Sequence, residues 1–297
     1  MSEFTALYNP SDMKRQSPIN INTHDKSFPT VTQDEALTTK FASKVSYKDV
    51  RRPNDHAFDY ELVGKDMEFK TSLSQWWFPE IDPISFTPAQ FHFHKGRGAA
   101  KGKNDNGSEH TVNGHHLDLE MHIVNLNLNK DTQDKFIAAV IGIVFQAGHE
   151  DNEETFADKF FKKLFHDEPV NFNEDFFQHL NMGERYVYRG SLTTPPYSEP
   201  LLWNFMPEVI SISQKTLSYF GGNERVRKEF NSEGGQIQFG GANRMPKAIN
   251  GRQIIKVDID DQTTAAFENE VTYFTQEQDE SLYTQKLDLL KTYLTQM

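Results

Sequence analysis

Apolar and polar positions alternate over short runs through much of the chain, and that rhythm predicts strands. From about residue 36 to 88, runs such as Phe41 to Tyr47 are separated by the breakers Pro53-Asn54-Asp55, Pro79 and Pro83. Gln16 to Ile21 reads as a turn entering a short strand, with Pro18 at its start or edge. Phe91-His92-Phe93-His94 alternates as well, so a strand there carries two imidazoles on one face and two phenyl rings on the other. Asn113-Gly114 is a hairpin signal ahead of a strand bearing Glu120 and His122. Phe136 to Val144 is almost continuously apolar, as in a strand buried on both faces. Ser191 to Pro196 is too proline-rich for a central strand and reads as a loop leading into one.

Helical spacing shows in two places. Phe156, Phe160, Phe161, Leu164 and Phe165 predict a packed helix within 153–165. Near the end, Leu282, Leu287, Leu290, Tyr293 and Leu294 form a stripe within Ser281 to Met297. That stripe suits a helix covering the domain's own surface or one docking a protein partner. The first 15 residues carry little pattern and read as an irregular arm, 1–15. The stretch 258–297 is acidic and poor in Gly and Pro, and reads as a partly helical extension. No repeat of 20–50 residues is visible.

Composition narrows the function classes. At 297 residues the chain makes one large domain or two small ones, and 24 Phe supply a core. A formal net charge of -12 argues against nucleic acid or an anionic membrane as the main partner. Lys101 and Lys103 sit in a Gly-rich loop and form no basic cluster. The absence of cysteine removes disulfides, thiolate metal sites and a cysteine nucleophile. The start has no basic n-region followed by an apolar core, and no run approaches a membrane span. The expectation is a cytoplasmic protein; a mature secreted form expressed without its signal looks the same.

The chemistry gathers on the two histidine strands. His92 and His94 alone are a weak ligand pair, but His122 shares a face with Glu120 on the second strand. Three histidines from two strands leave one tetrahedral position open, as a catalytic zinc requires. Gln90 and Glu120 can serve as acceptors for ligand N–H groups. Spacing does not separate His110 from His122 as the third ligand. Glu109 reads as a solvated charge or a buried, paired one. His56 follows a turn and could face a cleft. His24, His149, His166 and His179 read as surface or structural, and His115 and His116 as partly solvated.

Five motifs in order carry a family resemblance: Gln16-Ser17-Pro18-Ile19-Asn20-Ile21, Gln90-Phe91-His92-Phe93-His94, Ser108-Glu109-His110-Thr111-Val112, Glu120-Met121-His122, and Gly190-Ser191-Leu192-Thr193-Thr194-Pro195-Pro196. With Asn250-Gly251-Arg252 near the end, the chain resembles the α-class carbonic anhydrases from about Gln16 to Arg252. The resemblance implies one mainly β (α+β) domain, 16–257, around a large twisted, mostly antiparallel sheet with short peripheral helices. It implies reversible hydration of carbon dioxide to bicarbonate by a zinc-bound hydroxide. His92, His94 and His122 become the zinc ligands, with Gln90 and Glu120 as their acceptors and His110 as a structural residue. Thr193 matches the residue that accepts the hydroxide's hydrogen bond and donates its own to Glu109, and His56 matches the proton shuttle. Val124, Val140, Leu192, Leu201 and Trp203, with Thr194 beside them, fall where the family receives carbon dioxide.

The chain also departs from the pattern. Tyr197 stands where many secreted members carry a cysteine, and Lys95 where an aromatic is common. The loop from Lys95 to Ser108 is longer than usual, which bears on the rim of the site. The alternatives are a catalytically silent subunit of the same fold that binds or builds an assembly, and an unrelated zinc hydrolase. The full ligand set, with Glu109 and Thr193, favours the enzyme over the silent subunit. The hydrolase needs a dedicated base beside the metal, and none is identified.

Overall fold

A computed structural model describes residues 15–41, 59–62, 67–95, 107–149, 153–166, 168–194, 196–220 and 243–259. The arm 1–14, most of the Phe41–Tyr47 run, His56, the Lys95–Ser108 loop interior and the chain from residue 260 onward lie outside the described residues. The strands are β1 (Asn20–Ile21), β2 (Thr30–Val31), β3 (Thr38–Lys40), β4 (Asp59–Glu61), β5 (Glu68–Lys70) and β6 (Ser85–Lys95). They continue with β7 (Thr111–Val112), β8 (Leu119–Leu126), β9 (Ala138–His149), β10 (Glu184–Gly190), β11 (Leu201–Ser213) and β12 (Ile254–Asp258). Three helices, α1 (Phe156–Phe165), α2 (Phe172–Asp175) and α3 (Gln214–Tyr219), are short.

Ten strands form one sheet in the order β2-β12-β10-β11-β9-β8-β6-β5-β3, with β4 on β6. Most neighbours are antiparallel. The exceptions are β9 with β11 and β2 with β12, which run parallel. The β9–β11 pair is long, from Leu201↔Ala138 to Ser213↔His149. Both strands are central, which suits parallel pairing and explains the unbroken apolar run of β9. β1 and β7 make a separate parallel pair.

Alternation gives this sheet two faces with different contents. Phe91, Phe93, Met121, Ile123, Ile141, Phe145, Val187 and Leu202 join one core, over which α1 packs. Phe161 of α1 lies 5.5 Å from Phe93, 5.3 Å from Phe145 and 5.3 Å from Phe220, ring centre to ring centre. Val124, Val140, Tyr188, Leu201, Trp203 and Phe205 join a second core with Ile19 and Ile21. α1 begins at a capping box: Thr155 accepts from the Asp158 N–H, and Asp158 reaches back to the Thr155 N–H. On the Phe face, buried Arg185 pairs with Asp34, while its Nε donates to Asn204 Oδ1 at 3.1 Å and Nη1 to Met182 O at 2.7 Å. Asp34 also accepts from Thr71 Oγ1 at 2.6 Å and Ser72 N at 2.7 Å, so this ion pair is fully supported.

Candidate metal centre

β6 and β8 pair so that His92 stands opposite His122. His92, His94 and His122 therefore emerge side by side on the face away from the Phe core, all buried. Their ring centres are 4.4 to 5.2 Å apart. One nitrogen from each ring falls within 4.8 Å of the others, close enough to hold one metal ion.

The outer nitrogens of His92 and His122 are engaged. His92 Nδ1 lies 2.9 Å from Gln90 Oε1, and His122 Nε2 lies 2.7 Å from Glu120 Oε1. Amide and carboxylate oxygens accept, so these nitrogens carry the protons. Nε2 of His92 and Nδ1 of His122 are then the ligand atoms these rings have to offer. Three imidazoles, two of them with fixed tautomers, and no thiolate fit a zinc ion of the open, catalytic kind.

His110 and His122 part company here. His110 also forms a possible metal group with Glu120 and His122. Yet its Nδ1 donates to Glu120 Oε1 at 2.6 Å and its Nε2 meets the Tyr188 hydroxyl at 2.7 Å. With Nδ1 donating to a carboxylate, Nε2 accepts, so Tyr188 is the donor and Ser17 Oγ, at 3.0 Å, donates to Tyr188. Ser17 Oγ accepts from the Ser191 N–H at 3.1 Å and closes the chain. Both His110 nitrogens are engaged in this network. Burial pushes the Tyr188 hydroxyl well above its ordinary pKa, so it stays a donor. Burial would raise the Glu120 carboxyl, but His110 and His122 outweigh it and hold Glu120 well below the carboxylate range.

Glycine is required at one point of this network, and a second leaves little room for a side chain. A Cβ on Gly190 would come within 2.2 Å of Ser17 Oγ and 2.6 Å of Trp203 Cδ1. A Cβ on Gly142, opposite His122, would crowd Phe205 and Glu120 at 3.2 and 3.4 Å.

Glu109 is fully buried beside His94 and His122. Its Oε1 accepts the Arg244 N–H at 2.8 Å, and its Oε2 lies 3.4 Å from His94 Nε2 and 4.0 Å from His122 Nδ1. Thr193 and Thr194 are buried in the loop between β10 and β11. That loop folds back on itself through Leu192 N to Ser198 O at 2.9 Å and Tyr197 N to Thr194 O at 2.8 Å. The Arg244 guanidinium stacks on Tyr197, 3.7 Å from the ring centre, and donates to Ser17 O at 2.8 Å.

The expected apolar wall is continuous in register. Val124 stands opposite Val140, and Val140 opposite Trp203. Those three and Leu201 are buried, and Leu192 packs against them half-exposed. His24, His115, His166 and His179 are exposed, whereas His116 is half-buried with Nδ1 2.6 Å from Ser108 O. His56 lies outside the described residues.

Two contributors have no signal in the sequence motifs. Tyr188 lies just ahead of the Gly190–Pro196 motif and is marked there only by alternation with Tyr186. Arg244 reaches Glu109 through its backbone across 135 positions, which no local pattern announces.

A family model for the eukaryotic-type carbonic anhydrases matches residues 2–258. The chain belongs to this family. Among carbonic anhydrases, it is 29% identical to human carbonic anhydrase 7 over 228 residues, covering 74% of this chain and 81% of that protein. It is 32% identical to putative carbonic anhydrase 3 of Caenorhabditis elegans over 220 residues, covering 72% and 82%. A solved α-carbonic anhydrase from Thermovibrio ammonificans, in complex with the inhibitor sulfanilamide, aligns with a TM-score of 0.54 at 25% identity, covering 82% and 87%. The mainly β architecture is thus the carbonic anhydrase fold. No helix among the described residues is long and apolar enough to cross a membrane.

Proposed function

We propose that this carbonic anhydrase family member catalyses reversible hydration of carbon dioxide to bicarbonate and a proton, using zinc held by His92, His94 and His122. The observation that carries the reading is three buried imidazoles whose ligand atoms converge within 4.8 Å, in a chain of this family. When bound there, zinc acts as a Lewis acid that makes water nucleophilic near neutral pH, chemistry for which carbonic anhydrase is itself the standard example.

The protein's own groups supply orientation and electrostatics. Gln90 and Glu120 fix the tautomers of His92 and His122 and raise their basicity as ligands. Glu109, held by the Arg244 N–H, accepts a hydrogen bond from the Thr193 hydroxyl, which leaves the Thr193 oxygen to accept one from the attacking group. That accepted bond aims the nucleophile at carbon, a positioning effect. The Thr193 N–H then stabilises charge developing on the substrate oxygen. Carbon dioxide lodges against Val124, Val140, Leu192, Leu201 and Trp203, beside Thr194. Such a small molecule buries little area, so fast turnover rather than tight binding is expected. His56 carries the released proton to buffer, for which an imidazole pKa of about 6.5 is suited.

Metal analysis with stopped-flow carbon dioxide hydration tests the reading. One zinc per chain and rapid hydration are expected; a folded, zinc-loaded protein without hydration would overturn it. His56→Ala is expected to slow turnover in weak buffer, with partial rescue by added imidazole. Unchanged turnover would assign proton transfer to another group.

A further inference from the structure

A second charged group lies at the end of β10, on the sheet face opposite the histidines. Arg189 stands opposite Leu202 of β11, and both project toward the Phe core. The Arg189 guanidinium carbon lies 4.9 Å from the centre of the Phe78 ring and 5.7 Å from that of Phe136. The Lys135 ammonium approaches the same Phe78 ring at 5.2 Å. Arg189 as a whole is half-buried, while its Nε is sealed from solvent and has no hydrogen-bond acceptor among the described residues. A buried donor left in that state is costly, and more so when it is charged. Burial and the neighbouring charge of Arg15 lower the guanidinium pKa to about 10, with Glu199 acting in the opposite sense.

The cations around Arg189 have partners. Lys135 pairs with Asp134 at 3.0 Å, and Arg15 with Glu199 at 3.3 Å. Gln16 Nε2 also donates to Glu199, at 2.6 Å. The Arg252 guanidinium donates to backbone carbonyls of Ile249, Ala248 and Arg189 itself. Among the described residues Arg189 is therefore the surplus cation of the group, in a chain whose formal net charge is -12.

We infer that Arg189 anchors a binding site for a small oxyanion of the bicarbonate or inorganic phosphate class, with Phe78 and Phe136 as its floor and Lys135 and Arg15 flanking it. A planar guanidinium fork matches such an anion through two parallel hydrogen bonds, which a point-charge ammonium does not. The aromatic rings hold the fork in place before the anion arrives, which limits the ordering cost. Because the surplus is one positive charge on a half-buried surface, the expected affinity is millimolar. The site is on the other face of the sheet from the histidines, so it needs neither metal nor turnover.

The arginine Nε–H region of a proton–nitrogen NMR spectrum reads this site directly. The full chain is titrated with inorganic phosphate at constant ionic strength, and the Arg189 resonance is identified by its loss in Arg189→Gln. A saturable shift of that resonance with a millimolar midpoint is expected, with no such shift in a chloride titration. Lys135→Gln is expected to raise the midpoint about two- to fivefold, the effect of one flanking charge. Phosphorus line broadening is expected to fall about tenfold in Arg189→Lys, which keeps charge but loses the fork. A linear shift, an equal response to chloride, or unchanged phosphorus broadening in Arg189→Lys would overturn the site. Should Arg189→Gln fail to fold, the lysine variant makes the assignment.

Discussion

The two faces of the central sheet are built from the same strands, yet they answer to different demands. On one face, Phe91, Phe93, Phe145 and the α1 phenylalanines interlock in a core whose ring contacts are its chief content. On the other, the residues between them, His92, His94, Glu120 and His122, form a buried polar array beside half-buried Gln90, bordered by the second core through Trp203, 4.8 Å from His122 ring centre to ring centre. The Phe face supplies packing energy; the His face holds groups that packing alone would not retain. The difference teaches that a rigid backbone register, fixed from the Phe side, is what aims the imidazoles on the other. A one-residue slip in β6 would exchange the two faces.

The strongest break of this comparison is His94→Ala. It removes one of the three proposed zinc ligands and leaves the Phe face intact, so the fold should persist while zinc is lost. Loss of a Lewis acid costs several kcal/mol of barrier, so hydration is expected to fall by roughly a thousandfold. Circular dichroism, metal analysis and stopped-flow rates check it together, and retained zinc with near-normal rates would contradict the ligand assignment. The mirror experiment is Phe161→Ala, which empties the centre of the aromatic cluster on the other face. A loss of about 3–5 kcal/mol of stability is expected from denaturant titration, with zinc stoichiometry unchanged in the folded fraction. A loss of zinc at full stability would mean that the faces are not divided as described.

A smaller change sharpens the role of the outer hydrogen bonds. Glu120→Gln keeps the shape of the residue but removes a charge that receives both His110 and His122. Zinc affinity, measured by competition with a chelator, is expected to drop about 10- to 100-fold. Equal affinity would show that the tautomer of His122 is set by something else.

How much of this was legible in the sequence follows from how local each cause is. Alternation placed His92 and His94 apart from Phe91 and Phe93 because it depends on backbone geometry alone. The α1 helix was legible from its Phe spacing, although its start at Thr155 depends on a capping box that hydrophobic spacing does not mark. The parallel pairing of β9 and β11 was not, since a continuous apolar run looks the same in either direction. The exclusion of His110 from the ligands needs its two tertiary partners, Glu120 and Tyr188, the latter 78 positions away. Arg244 on Glu109 is a backbone contact, so the side-chain identity at 244 carries no trace of it.

The mildest test concerns a carboxylate on the Phe side that has no part in the chemistry. Asp158 in α1 accepts from Thr155 N at 3.0 Å and Ser213 N at 2.9 Å, and from the Thr216 hydroxyl, so it ties α1 to α3. Burial alone would raise its pKa, but these donors win and lower it from 3.8 to about 2. A depressed folded-state pKa means that the native state favours the ionised form. Its stabilisation is therefore complete above about pH 4 and fades as pH falls toward 2. The shift is worth about 2 kcal/mol at most. Asp158→Asn should be less stable than the parent by up to that amount at pH 6, and the gap should close toward pH 2. Taking the difference between the two proteins cancels the titration of shared histidines and carboxylates. Carbon dioxide hydration at pH 7 should be equal in both, because the two faces meet only through the backbone of the sheet. A stability gap that stays constant down to pH 2 would assign the residue a packing role instead of an electrostatic one.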